Sequence, residues 1–350
     1  MTMRVGVLTG GGDAPGLNAA ICGLARRLVA AGAELIGFTD GWRGLINDST
    51  RSLQHENFQH LLVYGGTLLG SSGDNPYRDP ATMVPKVLAT MARHRLDALV
   101  AIGGEGTLGA ADRLFREHQV PVVGVPKTID NDLDATDFTF GFFSAVEVAT
   151  RAMDDLRSTA ESHGRLMVVE CMGRHAGWIT AYAGVASGAE AVLVPERPVQ
   201  IEELCANLDR LRQTGARSAI VAIAEGARVF ENGVCLSSME KDEFGEYKTG
   251  GVAALLGKRL QARLQWEARH LVLGHLQRAG KPIAFDRIFA LRLGARAARL
   301  VLERRFGYMA AMRAGEIVDV PLQAAVAARK TLTDQFLDRY ESFFMPIGGP

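Results

Sequence analysis

The chain has 350 residues, which is long enough for two domains because single hydrophobic cores rarely extend beyond about 250–300 residues. Apolar residues make up 47% and charged residues 22% of the chain, a balance typical of a soluble globular protein. Lysine plus arginine and aspartate plus glutamate number 39 each, so no net charge favours nucleic acid or an anionic membrane as a partner.

The cysteines and the N-terminus indicate a cellular location. Four cysteines lie far apart without a CxxC pair, which predicts reduced thiols and neither a disulfide framework nor a cysteine metal site. The N-terminus runs directly into an apparent strand, and no apolar run approaches about 18 residues. We therefore expect a cytoplasmic protein with no signal peptide and no membrane span.

The first predicted unit is a strand, a glycine turn and a helix. The strand covers Arg4–Thr9, the turn Gly10–Asn18 and the helix Leu17–Ala30. Backbone N–H groups and a helix N-terminus at such a turn suit a bound phosphate. Pro15 stands where a dinucleotide fingerprint needs glycine, and the ending of a P-loop is absent. The alternative is a tight turn in which glycine only supplies a positive φ.

A second strand, glycine turn and helix follow later in the chain. After a strand at Glu34–Phe38 and a glycine-rich loop at residues 65–74, a helix is predicted near Ala81–His94. The strand Leu96–Ile102 then ends in Gly103–Thr107, before a helix that continues to about His118. Two such junctions are stronger evidence for phosphate binding than one.

An acidic loop follows the predicted strand Val120–Val125. If its backbone is extended, Asp130 and Asp132 point to the same side, because side chains alternate along a strand. Two carboxylates on one face suit a metal ion, a proton transfer or both. The alternative is a solvated loop that contains an Asx turn. The polar residues of this loop are Lys127, Thr128, Asp130, Asn131, Asp132 and Asp134.

The second half of the chain continues to alternate between strands and helices, which predicts parallel sheets covered on both faces. A helical pattern near Leu322–Phe344 is expected to pack as a cap. The predicted elements are helix 145–158, strand 166–170, helix 178–187, strand 191–194, helix 201–213, strand 220–224, helix 252–265 and strand 270–273.

Arginines and a histidine flank several of these strands. Guanidinium groups bind phosphate oxygens bidentately, so the set favours a phosphate monoester as ligand. A single arginine in such a place more often forms a surface salt bridge. The set comprises Arg165, Arg174, Arg269, His275 and Arg278.

The motifs of both halves resemble those of the 6-phosphofructokinase family. The resemblance implies an α/β fold of two doubly wound, mainly parallel-sheet Rossmann-like domains, with the active site in the cleft between them. A phosphoryl-donor (ATP) domain would comprise residues 1–140 plus about 276–316, and a sugar-phosphate domain about 141–275 plus 317–350. The motifs run in the family's order from residue 5 to about 290: GVLTGGGDAPGLNAAI, GGTLLGS, IGGEGT, VPKTIDND, TFGFFSA, VECMGRHAGW, VPE, VAIAEG and VLGHLQRAGKP.

The resemblance implies transfer of a phosphoryl group to the C1 hydroxyl of fructose 6-phosphate. Asp130 is expected to take the hydroxyl proton, assisted by Thr128 and Asp132, while Lys127 adds a positive charge that favours the ionised carboxylate. Arg174 is expected to stabilise the transferred group. The expected donor-binding residues are Gly11, Gly104, Glu105, Gly106 and Thr107, and the expected Mg2+ residues are Glu105 and Asp132.

The resemblance also implies a sugar-phosphate site and an oligomer. In the family, the arginines at the positions of Arg165 and Arg269 come from a neighbouring subunit. A homo-oligomer, a tetramer or a dimer, with shared substrate sites is therefore expected. The expected sugar-phosphate residues are Arg165, Met172, Gly173, Arg174, Glu225, Arg269, His275 and Arg278.

Two residues give opposite indications of the phosphoryl donor. Gly106, directly after Glu105, is typical of ATP users, because a carboxylate there would occupy the space of the α-phosphate. Lys127 is typical of pyrophosphate users, although some ATP users have it as well. ATP is therefore favoured, and pyrophosphate is the alternative. A further alternative is a sugar-phosphate sensor that performs no catalysis.

Overall fold

The computed structural model describes residues 2–54, 56–236 and 251–344. The chain forms two compact units. Unit 1 comprises Met1–Ile129, Leu133–Ser144 and Arg278–Arg329. Unit 2 comprises Asp130–Asp132, Ala145–Gln277 and the chain from Lys330 onward.

The strands of both units are short, and most are buried. In chain order they are β1 (Arg4–Thr9), β2 (Glu34–Phe38), β3 (Thr50–Ser52), β4 (Ala98–Gly103), β5 (Val122–Pro126), β6 (Leu166–Cys171), β7 (Ala191–Leu193), β8 (Val199–Gln200), β9 (Ala219–Ala224), β10 (Val229–Glu231), β11 (Val234–Cys235), β12 (Ala268–Val272), β13 (Tyr308–Arg313) and β14 (Glu316–Pro321).

Helices connect most of these strands. They are α1 (Leu17–Ala30), α2 (Trp42–Asn47), α3 (Phe58–Leu61), α4 (Pro80–Arg93), α5 (Glu105–His118), α6 (Phe142–His163), α7 (Trp178–Ala186), α8 (Ile201–Gln213), α9 (Val252–Leu264), α10 (Ala284–Leu302), α11 (Leu322–Ala325), α12 (Asp334–Arg339) and α13 (Glu341–Phe344). None of those described is long and apolar enough to cross a membrane.

Unit 1 is built around a seven-stranded sheet with the order β14-β13-β5-β4-β1-β2-β3. The five inner strands run parallel, and the two edge strands, β3 and β14, pair antiparallel. One face packs against α1 and α10, and the other packs against α2, α4, α5 and α11. Strands buried on both faces must be apolar throughout, as β4 is. The predicted doubly wound α/β architecture is confirmed for this unit.

Unit 2 contains a four-stranded, fully parallel sheet with the order β12-β6-β9-β7. Helices α8 and α9 share one hydrophobic core with this sheet. Unit 2 also contains a small three-stranded sheet with the order β11-β10-β8. The mixed α/β class with parallel sheets is thus the same in both units.

The C-terminal part of the chain differs from its predicted helical pattern. Residues 308–321 form the hairpin β13–β14, whose first strand pairs with β5, so unit 1 extends to Arg329 instead of ending near 316. The predicted helical region is divided into α11, α12 and α13. Between α11 and α12, the backbone of Arg329 forms an isolated bridge with that of Leu133. The assignment of donor and sugar-phosphate roles to the two units stays a prediction.

Helices α1 and α10 cross at two glycines. A Cβ added to Gly23 would overlap the carbonyl oxygen of Leu291, and one added to Gly294 would overlap that of Ala20. The two backbones therefore approach so closely that only hydrogen atoms fit at the crossing. This contact anchors α10, which lies late in the sequence, to the first helix of the chain.

We expect Gly294→Ala to lower the free energy of unfolding by about 1–3 kcal/mol, because the extra methyl group forces the two helices apart. Gly109→Ala in α5 is the matched control, since a Cβ there meets no heavy atom within 4 Å. Replacing an unhindered helical glycine by alanine stabilises by about 0.5–1 kcal/mol. Urea denaturation of both variants measures the difference, and equal stability of Gly294→Ala and wild type would contradict the close crossing.

Candidate active site

The glycine turn after β1 lies at the carboxyl edge of the unit 1 sheet, where open α/β sheets bind ligands. The N–H of Gly11 donates to the carbonyl oxygen of Ser72 at 2.9 Å, and Gly11 has a φ of 78°. Lys127 follows β5 at the same edge and is only 3% exposed. Its ammonium group donates to the carbonyl oxygen of Gly12. The turn is thus fixed by hydrogen bonds to Ser72 and to the buried ammonium group of Lys127.

The turn between β4 and α5 lies next to the first one. Gly104 is the N-cap of the 14-residue helix α5 and supplies no side-chain cap to its N–H groups. Such a helix N-terminus favours a bound anion through its N–H groups and its dipole. Thr107 is buried, and a Cβ added to Gly10 would lie 2.5 Å from its hydroxyl oxygen. Both glycine turns therefore pack on the same threonine, as the prediction of a shared phosphate site requires.

Glu105 and Gly106 form the exposed part of this turn. A Cβ added to Gly106 would meet no heavy atom within 4 Å, so the space in front of it is open. The carbonyl oxygen of Gly106 accepts a hydrogen bond from Asn75 at 3.2 Å. Glu105 lies 3.4 Å from the guanidinium of Arg329. The carboxylate of Glu105 therefore stays accessible while its helix is fixed.

The two predicted Mg2+ residues, Glu105 and Asp132, contribute one carboxylate each. Among the described residues no group of three or more His, Cys, Asp or Glu side chains could hold a metal ion. Mg2+ usually keeps several waters and binds one or two carboxylates together with substrate phosphates. The accessible carboxylate of Glu105 at a helix N-terminus fits that mode of binding.

Arg278 belongs to unit 1 and lies beside the glycine turn. Its guanidinium donates to the carbonyl oxygen of Asp13 at 2.9 Å. A Cβ added to Gly12 would lie 2.6 Å from the same guanidinium group. The glycine at position 12 is thus required for the arginine to reach the turn. A second positive charge is placed there in addition to Lys127.

In unit 2, Glu225 connects the carboxyl ends of β6 and β9. Its N–H donates to the carbonyl oxygen of Cys171 at 2.8 Å, which continues the pairing of the two strands. Its side chain accepts hydrogen bonds from the N–H groups of Gly173, at 3.2 Å, and Arg174, at 2.8 Å. Gly173 has a φ of 146°, which favours glycine. Three of the predicted sugar-phosphate residues are therefore joined by direct hydrogen bonds.

Asp130 and Glu225 influence each other electrostatically. Burial raises the pKa of Glu225, the N–H of Arg174 lowers it, and the negative charge of Asp130 raises it again. Asp130 is 6% exposed. The raised pKa of the half-buried Glu225 favours a bound proton or a ligand hydroxyl group near its carboxylate.

The backbone around Asp130 is not extended. Asn131 has a φ of 52°, in the left-handed region, so Asp130 and Asp132 are not related by the alternation of a strand. The sequence-based reason for placing both carboxylates on one face is therefore wrong. Asp132 is half-buried, as is Met172. Thr128 is buried, and its carbonyl oxygen accepts a hydrogen bond from Thr139 at 2.7 Å.

Arg165 and Arg269 lie at the other edge of the unit 2 sheet. Arg165 precedes β6, and Arg269 near the start of β12 pairs with Met167. Both arginines bind Glu267, at 3.0 and 2.5 Å. The length of β6 separates this amino edge from the carboxyl edge by roughly 17 Å, at about 3.3 Å per residue. Arg165 and Arg269 therefore lie away from Arg174 and His275 of the same chain, and their expected contribution to the site of a neighbouring subunit stays a prediction.

His275 lies at the carboxyl edge. It is exposed in a 3-10 helix, Gly274–Gln277, that follows β12 directly. Because β12 pairs in parallel with β6, the end of β12 is adjacent to the end of β6. The structure thus places His275 at the same edge as Gly173 and Glu225.

Sequence analysis missed Lys330, which contacts the acidic loop. Its ammonium group donates to the side-chain oxygen of Asn131 at 3.0 Å, and its N–H donates to the carbonyl oxygen of Asp132 at 2.9 Å. No motif surrounds Lys330, and the predicted helical pattern near Leu322–Phe344 is not formed at this residue. Sequence analysis also missed Glu196, whose carboxylate accepts a hydrogen bond from the N–H of Gly177 at the start of α7. The motif VPE was the one sequence feature that could have indicated it.

Comparisons with known proteins agree over almost the whole chain. A family model described as Phosphofructokinase matches residues 4–301. The pyrophosphate–fructose 6-phosphate 1-phosphotransferase of Amycolatopsis methanolica is 48% identical over 343 residues, which are 98% of this chain and 100% of that protein. The ATP-dependent 6-phosphofructokinase of Mycobacterium leprae (strain TN) is 46% identical over 344 residues, with the same two coverages. The phosphofructokinase of Pichia pastoris in its T-state matches with a TM-score of 0.80 and 31% identity, covering 93% of this chain and 36% of that one.

The raised pKa of Glu225 predicts how stability depends on pH. Between the ordinary pKa of 4.5 and the raised value, the folded state binds more protons at Glu225 than the unfolded state does. The free energy of unfolding of wild type, relative to Glu225→Gln, should therefore fall as the pH rises through this window. Urea denaturation of both proteins across about pH 4 to 8 measures it, the range in which a raised carboxyl pKa titrates.

Glu267→Gln is the control of opposite sign. A hydrogen bond from Arg165 lowers the pKa of Glu267, so its contribution to stability is present above the ordinary pKa of 4.5 and is lost as the pH falls through the lowered value. If the free energy of unfolding of wild type, relative to Glu225→Gln, rose with pH, then the N–H donors would lower the pKa of Glu225 by more than burial and the charge of Asp130 raise it.

Proposed function

The chain belongs to the phosphofructokinase family, and on that premise we propose that it transfers the terminal phosphoryl group of ATP to the C1 hydroxyl of fructose 6-phosphate. The product is fructose 1,6-bisphosphate, and the reaction is a step of glycolysis. Relatives with this activity in their names match 98% and 95% of the chain.

The acceptor half of the reaction is supported by the electrostatic effect of Asp130 on the carboxyl group of Glu225. We propose that ionised Asp130 accepts the proton of the C1 hydroxyl, which makes that oxygen a better nucleophile. Glu225, fixed by the N–H groups of Gly173 and Arg174, binds a sugar hydroxyl group with its carboxylate. Arg174, which is exposed, stabilises negative charge on the transferred phosphoryl group, and Thr128 and Asp132 assist.

The donor half is supported by the two glycine turns of unit 1. Phosphoryl transfer requires mainly positioning and neutralisation of charge, which N–H groups at a helix N-terminus provide. In the proposal, Gly11, Gly104 and Thr107 surround the donor phosphates. Glu105 and Asp132 would hold Mg2+, which would supply neutralisation of the negative charge on those phosphates. The open space at Gly106 leaves room for the remainder of a nucleotide.

A second donor, pyrophosphate, is favoured by one observation. The ammonium group of Lys127 is buried at the glycine turn, where it adds a compact positive charge to the donor site. Relatives of nearly equal identity are named for either donor, so overall similarity does not discriminate between the two. We weigh Gly106 more heavily, because the residue there decides whether a nucleoside fits.

The position of Arg165 and Arg269 supports an oligomer. Both lie at the amino edge of the unit 2 sheet, away from Arg174 and Glu225 of the same chain. We propose that they bind the 6-phosphate of a substrate held by a second copy of the chain, together with His275 and Arg278 of that copy. A homo-oligomer, a dimer or a tetramer, is then required for full activity.

The donor is tested by measuring turnover of fructose 6-phosphate with Mg2+ and either ATP or pyrophosphate. Gly106→Asp should reduce kcat/KM for ATP by at least about tenfold, because a carboxylate repels the α-phosphate at close range. The protein itself should fold normally, since the added side chain meets open space. Gly109→Asp, three residues further along the same helix, is the matched control and should keep ATP turnover. Unchanged ATP kinetics in Gly106→Asp would remove the steric argument.

The base is tested with Asp130→Ser. Loss of a general base should reduce kcat by at least about 10²-fold and leave the KM for fructose 6-phosphate within a few-fold. Asp134→Ser in the same loop is the control, because the carboxylate of Asp134 accepts from the N–H of Ala135 at 2.7 Å. A kcat of Asp130→Ser close to that of wild type would exclude Asp130 as the base.

A further inference from the structure

Lys330 lies outside the region that identifies the family. The family model matches residues 4–301, and Lys330 follows its end by 29 positions (330 minus 301). Nevertheless Lys330 is assigned to unit 2 together with Asp130–Asp132, the segment that contains the proposed base. The position suggests a role in the reaction that the family motifs do not reveal.

Two hydrogen bonds fix consecutive residues of the acidic loop to Lys330. The ammonium group donates to the side-chain oxygen of Asn131 at 3.0 Å. The N–H of Lys330 donates to the carbonyl oxygen of Asp132 at 2.9 Å. A hydrogen bond from a charged donor is stronger than a neutral one, so the first bond resists displacement by water.

The conformation that Lys330 supports is an uncommon one. Asn131 is 1% exposed and has a φ of 52°, a region that residues other than glycine adopt rarely, although asparagine tolerates it. Because Asn131 is the direct neighbour of Asp130, a change in its φ would turn the Asp130 carboxylate away from its present direction. The hydrogen bond to its side chain opposes such a change.

Lys330 is itself held by Trp178 of α7. The indole N–H donates to the carbonyl oxygen of Lys330 at 3.1 Å, and the ammonium group lies 5.6 Å from the centre of the indole ring. Trp178 is 9% exposed and sits at the first position of its helix. Lys330 is therefore bound to the start of α7, and its two hydrogen bonds to Asn131 and Asp132 connect that helix to the acidic loop.

We propose that Lys330 is a positioning residue, which acts through Asn131 to hold the carboxylate of Asp130 in the direction required for proton transfer. The inference rests on the proposed function of Asp130. It does not assign to Lys330 any contact with the substrate, so binding of fructose 6-phosphate is not expected to depend on it.

The experiment compares steady-state kinetics of Lys330→Met, Lys330→Arg and wild type. Methionine has a similar length but no charge, and a misplaced catalytic group lowers kcat by up to about 10²-fold. We expect a loss of about 10–100-fold in kcat, with the KM for fructose 6-phosphate within about threefold, because only the chemical step is affected. Lys330→Arg should recover part of kcat. Lys258→Met on the exposed side of α9 is the control for loss of a lysine.

A double variant separates positioning from a general structural role. If Lys330 acts through Asn131, then Lys330→Met combined with Asn131→Ser should be no slower than the slower single variant, since coupled residues are not additive. Additive losses, or a kcat of Lys330→Met equal to that of wild type, would overturn the inference. If Lys330→Met does not fold by circular dichroism, Asn131→Ser alone must show the same loss of kcat with an unchanged KM. Failure of the proposed function is recognised separately, because wild type would then give no product with either donor.

Discussion

The site of unit 2 depends on one half-buried carboxylate at the junction of two strands. Glu225 extends the pairing of β9 with β6 and then accepts two N–H groups from the turn that follows β6. Burial raises the pKa of Glu225 by more than the two N–H donors lower it, so the turn is held by a carboxyl group whose charge is disfavoured. Glycine at position 226 is equally necessary, because any side chain there would overlap the carbonyl oxygen of Arg174. Arg174 and Gly173 owe their positions to this arrangement.

The local pattern of apolar residues predicts the bounds of several strands well. The strands Arg4–Thr9 and Glu34–Phe38 begin and end where the sequence indicates, because strands buried between two layers of helices are apolar without interruption. The glycine turns could be found for the same reason, since they directly follow such runs. The hairpin at residues 308–321 was not assigned, although β13 completes the sheet beside β5. Its place is decided by a pairing between segments far apart in the chain, which local periodicity does not contain.

Within the site, the motifs indicate the location of several residues better than the backbone conformation around them. Asp130, Arg174 and Glu225 are at the same sheet edge or loop that their motifs indicate. The left-handed Asn131 could not be read from composition, and it removes the alternation on which the pairing of Asp130 with Asp132 was based. Arg165 and Arg269 are a different case. The resemblance assigns them to the site of a neighbouring subunit, and they lie at the amino edge of the unit 2 sheet, so that expectation stays a prediction.

The crossing of α1 with α10 has a consequence for the order in which the chain can fold. Unit 1 takes its first and last segments from Met1–Ile129 and Arg278–Arg329, whereas Ala145–Gln277 of unit 2 is continuous. During synthesis, α10 begins 254 positions after α1 ends (284 minus 30), and β13 begins 182 positions after β5 ends (308 minus 126), so α1 and the edge of β5 stay uncovered while these residues are made. Unpaired strand edges and exposed apolar helices are prone to association. The segment that leaves the ribosome first is therefore among the last to reach its final packing, and a nascent chain is most vulnerable in that interval.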